Sequence, residues 1–468
     1  MKLRNYIMLF TAIIWSMTGP GFSQEASAQG LLRDAETEAF IRKITRPIFE
    51  SADLTPESID HYIIGDKTIN AFVTGGQNIF IHSGLILLAN DVNGLIGVLA
   101  HETGHISGGH LARGRDGSNA PTAIALITLL LGAAAIVAGA GDAGTGLMLG
   151  GQSMAQGAML AFTREQESAT DQAAVTFLER MGISGRSYIK FFEYMRAQEL
   201  MRLIRQDPYV RTHPINTDRI LAVTTRIKAS PYYDTPPDPE NQKLFERVQA
   251  KLYGYTYPAR LTFQKYPLRD KSIPARYARV YAYNNAMEWE KAIEEGKGLI
   301  ELEPENPYFY EITGQMLMEM GRVREAVPFY RKAAEHAVRE PLIMTSLGHA
   351  LVSLDDKTLD QEAIGILEQV IVLDPINDFA WRQLGTAYAR NDMEAEASLC
   401  MAEMFSLYGQ FPDAIFHAQK AFDMLDEGTP KWIRSQDVLM AARVGASKMK
   451  RQRRRVNADL EPQFNNQQ

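Results

Sequence analysis

Apolar residues recur with a helical period through much of the first half of the chain. Residues 32–50 carry them every three or four positions, and residues 91–113 and the stretch from Arg164 onward repeat that pattern, so each is predicted to be a helix. Residues 62–81 instead form short apolar runs separated by glycines, which predicts short strands joined by turns. A mostly helical α+β domain with a small sheet is therefore expected over residues 29–258.

A longer period, of about 34 residues, appears from about residue 273. Gly314, Gly348 and Gly385 hold the same position in three successive units, and the second unit has about three extra residues near Asp355. Small residues at such positions let two helices cross closely, while large ones are buried between units. The spacing predicts an all-α solenoid of tetratricopeptide repeats (TPR) over residues 259–447; the alternative is a generic helical bundle.

Both ends of the chain differ from these domains. Lys2 and Arg4 precede a short apolar run, and Ala28 ends a small-x-small cleavage site, so residues 1–28 are predicted to be a secretory signal that is removed. The alternative is an uncleaved anchor. Residues 448–468 begin with a basic cluster and are expected to form a disordered polar tail, with contact to anionic lipid as the alternative.

Charge and cysteine usage narrow the class of protein. The formal net charge of −7 gives no indication of nucleic-acid binding. Cys400 is the only cysteine, so an intrachain disulfide is impossible, and this residue is expected to be a small core side chain.

The strongest chemical signal lies in the helix predicted over residues 91–113, which contains the run H-E-T-G-H. Its histidines, His101 and His105, are four residues apart, so both share one helix face and can bind one zinc ion. Glu102 follows the first of them, where it can take a proton from a water molecule. The alternative is an amphipathic helix with two polar histidines.

A third ligand must come from elsewhere in the chain. The longer motif H-E-x-x-H-x-x-G-x-x-H requires a histidine at position 111, where this chain has Leu111. Glu167 and Asp171, four residues apart on a later predicted helix, offer another solution. Glu167 would complete the zinc site and Asp171 would accept a hydrogen bond from a ligand imidazole. The sequence thus predicts one Zn²⁺ per chain on His101, His105 and Glu167, unless the two carboxylates are merely a solvated acidic face.

An almost uncharged segment, residues 117–163, separates these ligands. Because His101 and His105 precede it while Glu167 follows it, the segment must cross a membrane either twice or not at all. We expect a helical hairpin that covers the active site or dips into a membrane surface, with a double crossing as the alternative.

These motifs resemble those of the M48 zinc metallopeptidases. The H-E-x-x-H run followed by R-x-x-E-x-x-x-D carries the likeness, and Asn70-Ala71-Phe72 and the strand-G-L segment at residues 75–85 agree with it. His213-Pro214, with Arg219 six residues after the histidine, resembles the family's H-P-x-x-x-x-R segment. The likeness covers about residues 35–225, and the repeats that follow direct it to the periplasmic subgroup with TPR repeats.

The resemblance implies a zincin-like fold and roles for particular residues. Glu102 would be the catalytic base, and His213 and Arg219 would stabilise the oxyanion. His213 is also a candidate for a fourth, inhibitory zinc ligand, which would close the open position. One further segment is predicted to be an edge strand that holds extended substrate by strand addition; it consists of Asn78, Ile79, Phe80, Ile81 and His82.

Two hypotheses about function follow. The first is a secreted zinc endopeptidase, free in the periplasm or peripheral to a membrane, that degrades unfolded or misassembled envelope proteins. Its repeats would recruit clients or the outer-membrane β-barrel assembly machinery. The second is a chaperone or scaffold of outer-membrane protein assembly with a latent, self-inhibited metal site. The intact Glu102 favours the enzyme, because no structural role requires it.

Overall fold

The computed structural model describes residues 30–74, 77–109, 164–201 and 208–464. The predicted signal (residues 1–28) and the predicted apolar hairpin (residues 117–163) lie outside these ranges. Among the helices of the described part, none combines the length and apolar composition that a membrane crossing requires.

The peptidase-like half consists of helices packed on one side of a three-stranded sheet. Its strands are β1 Asp60–Ile64, β2 Ala71–Thr74 and β3 Asn78–His82. Its helices are α1 Ala35–Ser51, α2 Ser83–Leu88, α3 Val92–Ser107, α4 Arg164–Met181, α5 Arg186–Met201, α6 Pro208–Thr212, α7 Thr217–Ala229 and α8 Pro239–Thr256. The helices predicted over residues 32–50 and 91–113 correspond to α1 and α3.

The strand order is β1–β3–β2, with β1 parallel and β2 antiparallel to β3. The prediction that Asn78, Ile79, Phe80, Ile81 and His82 form an edge strand is therefore wrong. These residues form β3, the central strand, whose main-chain groups are paired on both sides. The two edges that remain for strand addition belong to β1 and β2.

The two faces of the sheet contribute to different cores. Ile63, Ala71, Ile79 and other side chains of one face pack with α1, α3 and α4. On the other face Phe72 stacks on Phe80, with 5.2 Å between ring centroids, and both belong to one continuous apolar core with residues of the helical repeats. The sheet is thus shared between the peptidase-like helices and the repeats.

The second half is a series of antiparallel helix pairs, as the 34-residue period predicts. Its helices are α9 Ala259–Lys265, α10 Ile273–Asn285, α11 Trp289–Leu302, α12 Pro307–Glu319, α13 Val323–His336, α14 Pro341–Val352, α15 Lys357–Leu373, α16 Asp378–Arg390, α17 Glu394–Leu407 and α18 Phe411–Met424. A Cβ atom on Gly348 would lie 2.7 Å from the Leu367 side chain of the paired helix, which shows why the repeat needs a small residue there. Cys400 is a free, buried core residue facing Gly385, as expected.

The last helix, α19, runs over Pro430–Phe464 and is longer than predicted. The basic cluster expected to lie in a disordered tail is helical. Residues 446–461 contain neither glycine nor proline and include several arginine, lysine and alanine residues, which all have high helix propensity.

Ion pairs hold the start of α1 against α8 and against the repeats. The Lys251 ammonium on α8 lies 2.5 Å from Asp34 and 3.6 Å from Glu36, at the start of α1. Arg33 bridges to Asp374, at the end of α15, at 2.7 Å. Because Lys251 is buried, its charge must be paired, and this pairing fixes the start of α1 against α8.

Candidate metal centre

Helix α3 carries the H-E-x-x-H run through the middle of the core. The Asp91 side chain caps its start by accepting a hydrogen bond from the Gly94 N–H at 2.9 Å. Every residue from Val92 to His105 is buried. Gly104 lets α4 approach closely, because a Cβ atom there would lie 2.8 Å from the Thr170 Cγ2 atom. This crossing brings Glu167 of α4 to the two histidines.

Four fully buried side chains converge at this crossing: His101, His105, Glu167 and His213. Their ligand atoms are neighbours. His105 Nε2 lies 3.2 Å from His101 Nε2 and 3.2 Å from Glu167 Oε1. His213 Nδ1 lies 3.0 Å from Glu167 Oε1 and 3.3 Å from His101 Nε2. Around zinc with bonds of about 2.0–2.1 Å, tetrahedral ligand atoms are about 3.3 Å apart. The residue types and these spacings therefore fit a tetrahedral zinc ion.

Asp171 lies behind the first ligand, as predicted from its spacing. Its Oδ1 atom is 2.9 Å from His101 Nδ1, so the carboxylate can fix the imidazole with Nε2 directed at the other ligands. Burial lowers the pKa of His101, but hydrogen bonds to Asp171 and Glu167 outweigh it and raise that pKa to about 10. The cluster therefore stabilises positive charge at its centre, as a cation site requires.

Arg219 has a different environment from the one predicted. Its Nε and Nη2 atoms donate to the two Asp171 carboxylate oxygens at 2.7 and 2.9 Å. Its Nη1 atom donates to the Pro214 carbonyl at 2.7 Å and lies 2.8 Å from Glu167 Oε2. All three nitrogens of this buried guanidinium are engaged behind the ligands, which does not fit an oxyanion donor. Arg219 instead joins both carboxylates to the loop that begins at His213.

Glu102 is fully buried beside the ligand cluster. Burial raises its pKa to about 7, although His213 and His101 oppose the shift. Within the described residues neither carboxylate oxygen of Glu102 has a hydrogen-bond partner, while its Oε1 lies 3.5 Å from His213 Nε2. A buried carboxylate left open for a partner, with a pKa near neutrality, suits a proton acceptor.

Helix α6 places His213 over the site. The Tyr209 ring packs on the His213 imidazole with 4.7 Å between centroids, and the His213 N–H donates to the Tyr209 carbonyl at 2.8 Å. The Tyr209 N–H in turn donates to the Ile69 carbonyl at 3.3 Å, just before β2. Sequence reasoning gave Tyr209 no role; its spacing of four residues from His213 was the available signal.

The free edge nearest the metal ligands is that of β2, which packs against α3. The Asn70 carbonyl accepts from the His82 N–H, so Asn70, Phe72 and Thr74 direct their main chain towards β3. The main-chain groups of Ala71 and Val73 then point away from β3, to the free edge of the sheet. Asn70 is fully buried, and neither amide atom of its side chain has a hydrogen-bond partner within the described residues.

Comparison with known proteins agrees with this geometry. Residues 35–227 match the model of peptidase family M48. The chain is similar to a putative beta-barrel assembly-enhancing protease of Vibrio cholerae, with 23% identity over 407 residues that cover 86% of this chain and 83% of that protein. It is also similar to the beta-barrel assembly-enhancing protease of Escherichia coli K12, with 22% identity over 394 residues that cover 82% and 78%.

Among solved structures, the TPR protein YrrB is 16% identical, covers 50% of this chain and 99% of its own, and has a TM-score of 0.28. The assignment of helical repeats rests on the helix pairs described above.

The matched range runs from α1 through almost all of α7, and it includes every residue of the cluster. The family inferred from the sequence motifs is confirmed. Residues 35–227 therefore form a metallopeptidase domain of peptidase family M48.

Proposed function

We propose that the chain is a zinc-dependent endopeptidase of the cell envelope that cleaves unfolded or misassembled proteins. The observation that carries this proposal is the convergence of four buried ligand atoms beside Glu102. The donor set of histidine nitrogens and one carboxylate oxygen is the set that zinc peptidases use.

His101, His105 and Glu167 would hold one zinc ion per chain. When bound, zinc polarises a carbonyl and lowers the pKa of water. The chain's own contribution is to orient these ligands: Asp171 holds His101, and Arg219 holds Asp171 and Glu167. We therefore assign Arg219 a positioning role in place of the oxyanion role expected from the sequence.

Glu102 would take a proton from water and transfer it to the leaving amine. Its burial, its open oxygens and its pKa near 7 support that role. No other carboxylate of the cluster suits it, because Glu167 and Asp171 both contact Arg219.

His213 would restrain the enzyme at rest. Its Nδ1 atom lies among the ligand atoms and its Nε2 atom faces Glu102, so it would fill the fourth position and stand beside the base. A substrate carbonyl can reach the site only after His213 moves away. We propose that this residue is an inhibitory ligand in the resting enzyme; the oxyanion donor is the competing role.

Substrate would bind along β2 instead of β3. The open main-chain groups of Ala71 and Val73 would pair with an extended peptide beside α3. Only an unfolded or partly unfolded chain can present such a strand, which supports misassembled proteins as the substrate class.

The names of the relatives support an envelope location and a role in outer-membrane protein quality control. The proposal includes a signal at residues 1–28, periplasmic localisation, and repeats that recruit clients or the β-barrel assembly machinery. Contact of residues 117–163 with a membrane surface belongs to the same proposal. The closed position of His213 favours one second candidate: a chaperone or scaffold whose metal site stays latent.

Casein cleavage and zinc content of purified variants test the proposal. Replacing His101, His105 or Glu167 with alanine should abolish cleavage and sharply lower zinc content, because the ion loses one of the three ligands that hold it during catalysis. Glu102→Gln should keep zinc and lose about 10²-fold or more in cleavage, while Glu165→Gln, on the exposed face of α4, should match wild type.

Unchanged zinc content in the ligand variants would refute the site. If the wild type binds zinc and suppresses aggregation of casein but cuts none of it, the chaperone is the better description.

A further inference from the structure

The second free edge of the sheet, on β1, lines a groove that the peptidase mechanism does not use. This β1 groove has a volume of about 470 Å³ and runs between α1 and the start of the repeat segments at Pro341 and residues 373–376. The edge of β1 contributes Asp60 to Ile63. The groove therefore has one wall from the peptidase domain and one from the repeats.

Main-chain groups of β1 are directed into this groove. The Asp60 N–H donates to the Gln77 carbonyl, so Asp60, Tyr62 and Ile64 face β3. The main-chain groups of His61 and Ile63 then point away from β3, towards the groove. The Ile63 carbonyl accepts from the Leu32 N–H at 2.8 Å, whereas within the described residues the His61 N–H and C=O make no main-chain hydrogen bond on that side.

The chain itself already pairs with this edge at one residue. Leu31 forms an antiparallel bridge with Ile64, and the chain then leaves the edge at Arg33 to begin α1. The edge is thus competent for antiparallel pairing, and its next position, at His61, is left open beside the groove.

The side chain of His61 adds a second, independent feature. Its Nε2 atom is buried and has no hydrogen-bond partner within the described residues. Its ring stacks on Phe49 of α1, with 5.4 Å between centroids. Burial, together with the Arg42 charge, lowers the pKa of His61 to about 4, so the neutral ring can donate or accept one hydrogen bond.

We propose that the β1 groove binds an extended stretch of unfolded polypeptide, which adds to β1 as a strand at His61. The main-chain donor and acceptor at the edge and the unpartnered His61 ring recognise peptide backbone, while Leu373 and Ile376 receive an apolar side chain. Because β1 and β2 are opposite edges of one sheet, a client can occupy this groove and the metal centre at the same time. Binding here does not depend on the proposed peptidase activity.

Binding of fluorescein-labelled, reduced and carboxymethylated α-lactalbumin to the full chain tests the proposal by anisotropy. All binding variants carry Glu102→Gln so that the probe is not cut. Ile376→Arg places a long charged side chain in the groove and should weaken binding by about fivefold or more, the scale of one lost hydrogen bond with its apolar contact. Val372→Arg is the matched control, because Val372 lies nearby but is 79% exposed and does not line the groove. It should leave binding unchanged.

A second variant acts from the strand. His61→Pro removes the outward N–H but leaves the pairing of β1 with β3, because an edge strand tolerates proline when its N–H faces outward. It should weaken binding by about fivefold, and more than His61→Ala, which keeps the N–H. Circular dichroism melting checks that each variant is folded.

Equal binding by Ile376→Arg and Val372→Arg would overturn the proposal. So would equal binding of native, disulfide-intact α-lactalbumin, which offers no extended chain, or a self-association of the chain that Ile376→Arg abolishes. Cleavage of a short fluorogenic peptide is measured separately, with Glu102 intact. A chain that binds the probe in the β1 groove but cuts no peptide refutes the proposed function alone.

Discussion

We propose that His213 switches the metal centre between a closed and an open state, because its Nδ1 atom lies among the other candidate ligand atoms. We expect His213→Ala to raise casein cleavage and to weaken zinc binding by about tenfold or more, since an imidazole close to the other ligands is lost. Zinc affinity by chelator competition and casein cleavage are the two measurements.

The exposed His336 of the repeats offers a control, and His336→Ala should behave as wild type. Lower cleavage with unchanged zinc affinity would show that His213 donates to the oxyanion and does not close the site.

Arg219 is expected to act through other residues. Arg219→Ala leaves Asp171 and Glu167 as buried carboxylates without their cation, which costs about 3–5 kcal/mol in such pairs and should lower both zinc affinity and cleavage. Arg219→Lys keeps the charge but cannot bridge both Asp171 oxygens and the Pro214 carbonyl, so it should rescue only part of the zinc affinity. Wild-type zinc affinity combined with a large fall in kcat would restore the oxyanion role.

Sequence spacing predicted which candidate ligands meet, but it predicted the residues that hold them in place less well. His101, His105, Glu167 and Asp171 lie on two helices whose period places them on predictable faces. The partner of Arg219 could not be predicted in this way, because 48 residues separate it from Asp171 and only the packing of α7 on α4 brings them together.

At the scale of elements, the crossing of α3 and α4 sets the geometry of the site. Gly104→Ala places a Cβ atom 2.8 Å from Thr170, which must push α4 and its Glu167 away from the histidines. We expect a loss of about 1–3 kcal/mol in stability together with weaker zinc binding, measured by denaturant unfolding and chelator competition.

Gly365→Ala, in α15, is the matched substitution. A Cβ atom there meets open space, so it should raise stability by up to about 1 kcal/mol and leave zinc binding unchanged. Equal zinc affinity in the two variants would show that the crossing has room to relax.

The strands show where prediction from sequence ends. Short apolar runs at residues 62–81 predicted strands, but they contain no information on which strand is central. The sequence pattern predicts an edge strand at β3, whereas β3 pairs with β1 on one side and β2 on the other and is therefore central. Nor does the sequence show which face of the sheet packs on the repeats, because Phe80 shares its apolar core with residues more than 190 positions later, such as Tyr277.

At the scale of the whole molecule, the contact between α1, α8 and the repeats contains a carboxyl group that titrates near neutrality. Burial raises the pKa of Glu311 to about 8. The Lys251 charge opposes this shift, whereas the nearby carboxylates add to it; they belong to Asp34, Glu36 and Glu340. Its Oε2 atom has no hydrogen-bond partner within the described residues.

The folded chain therefore holds a proton on Glu311 that the unfolded chain has released above about pH 4.5. The stability that the protonated Glu311 contributes is fully present below about pH 4.5 and is lost as the pH rises to about 8. Glu311→Gln should flatten the fall of Tm between pH 5 and pH 8, whereas Glu305→Gln, at an exposed neighbouring position, should keep the wild-type slope. Parallel Tm curves for wild type and Glu311→Gln would contradict the assignment.

The sheet that both halves share connects the core of the repeats to the proposed substrate edge. Phe72 and Phe80 complete the apolar core of the repeats, while Ala71 and Val73, in the same strand as Phe72, form the proposed substrate edge. We therefore expect a partner that bends the solenoid to displace β2, the strand that would hold the scissile peptide. Ending the chain after α8 would expose these two rings to solvent, so we expect the metallopeptidase domain to lose stability when the repeats are removed.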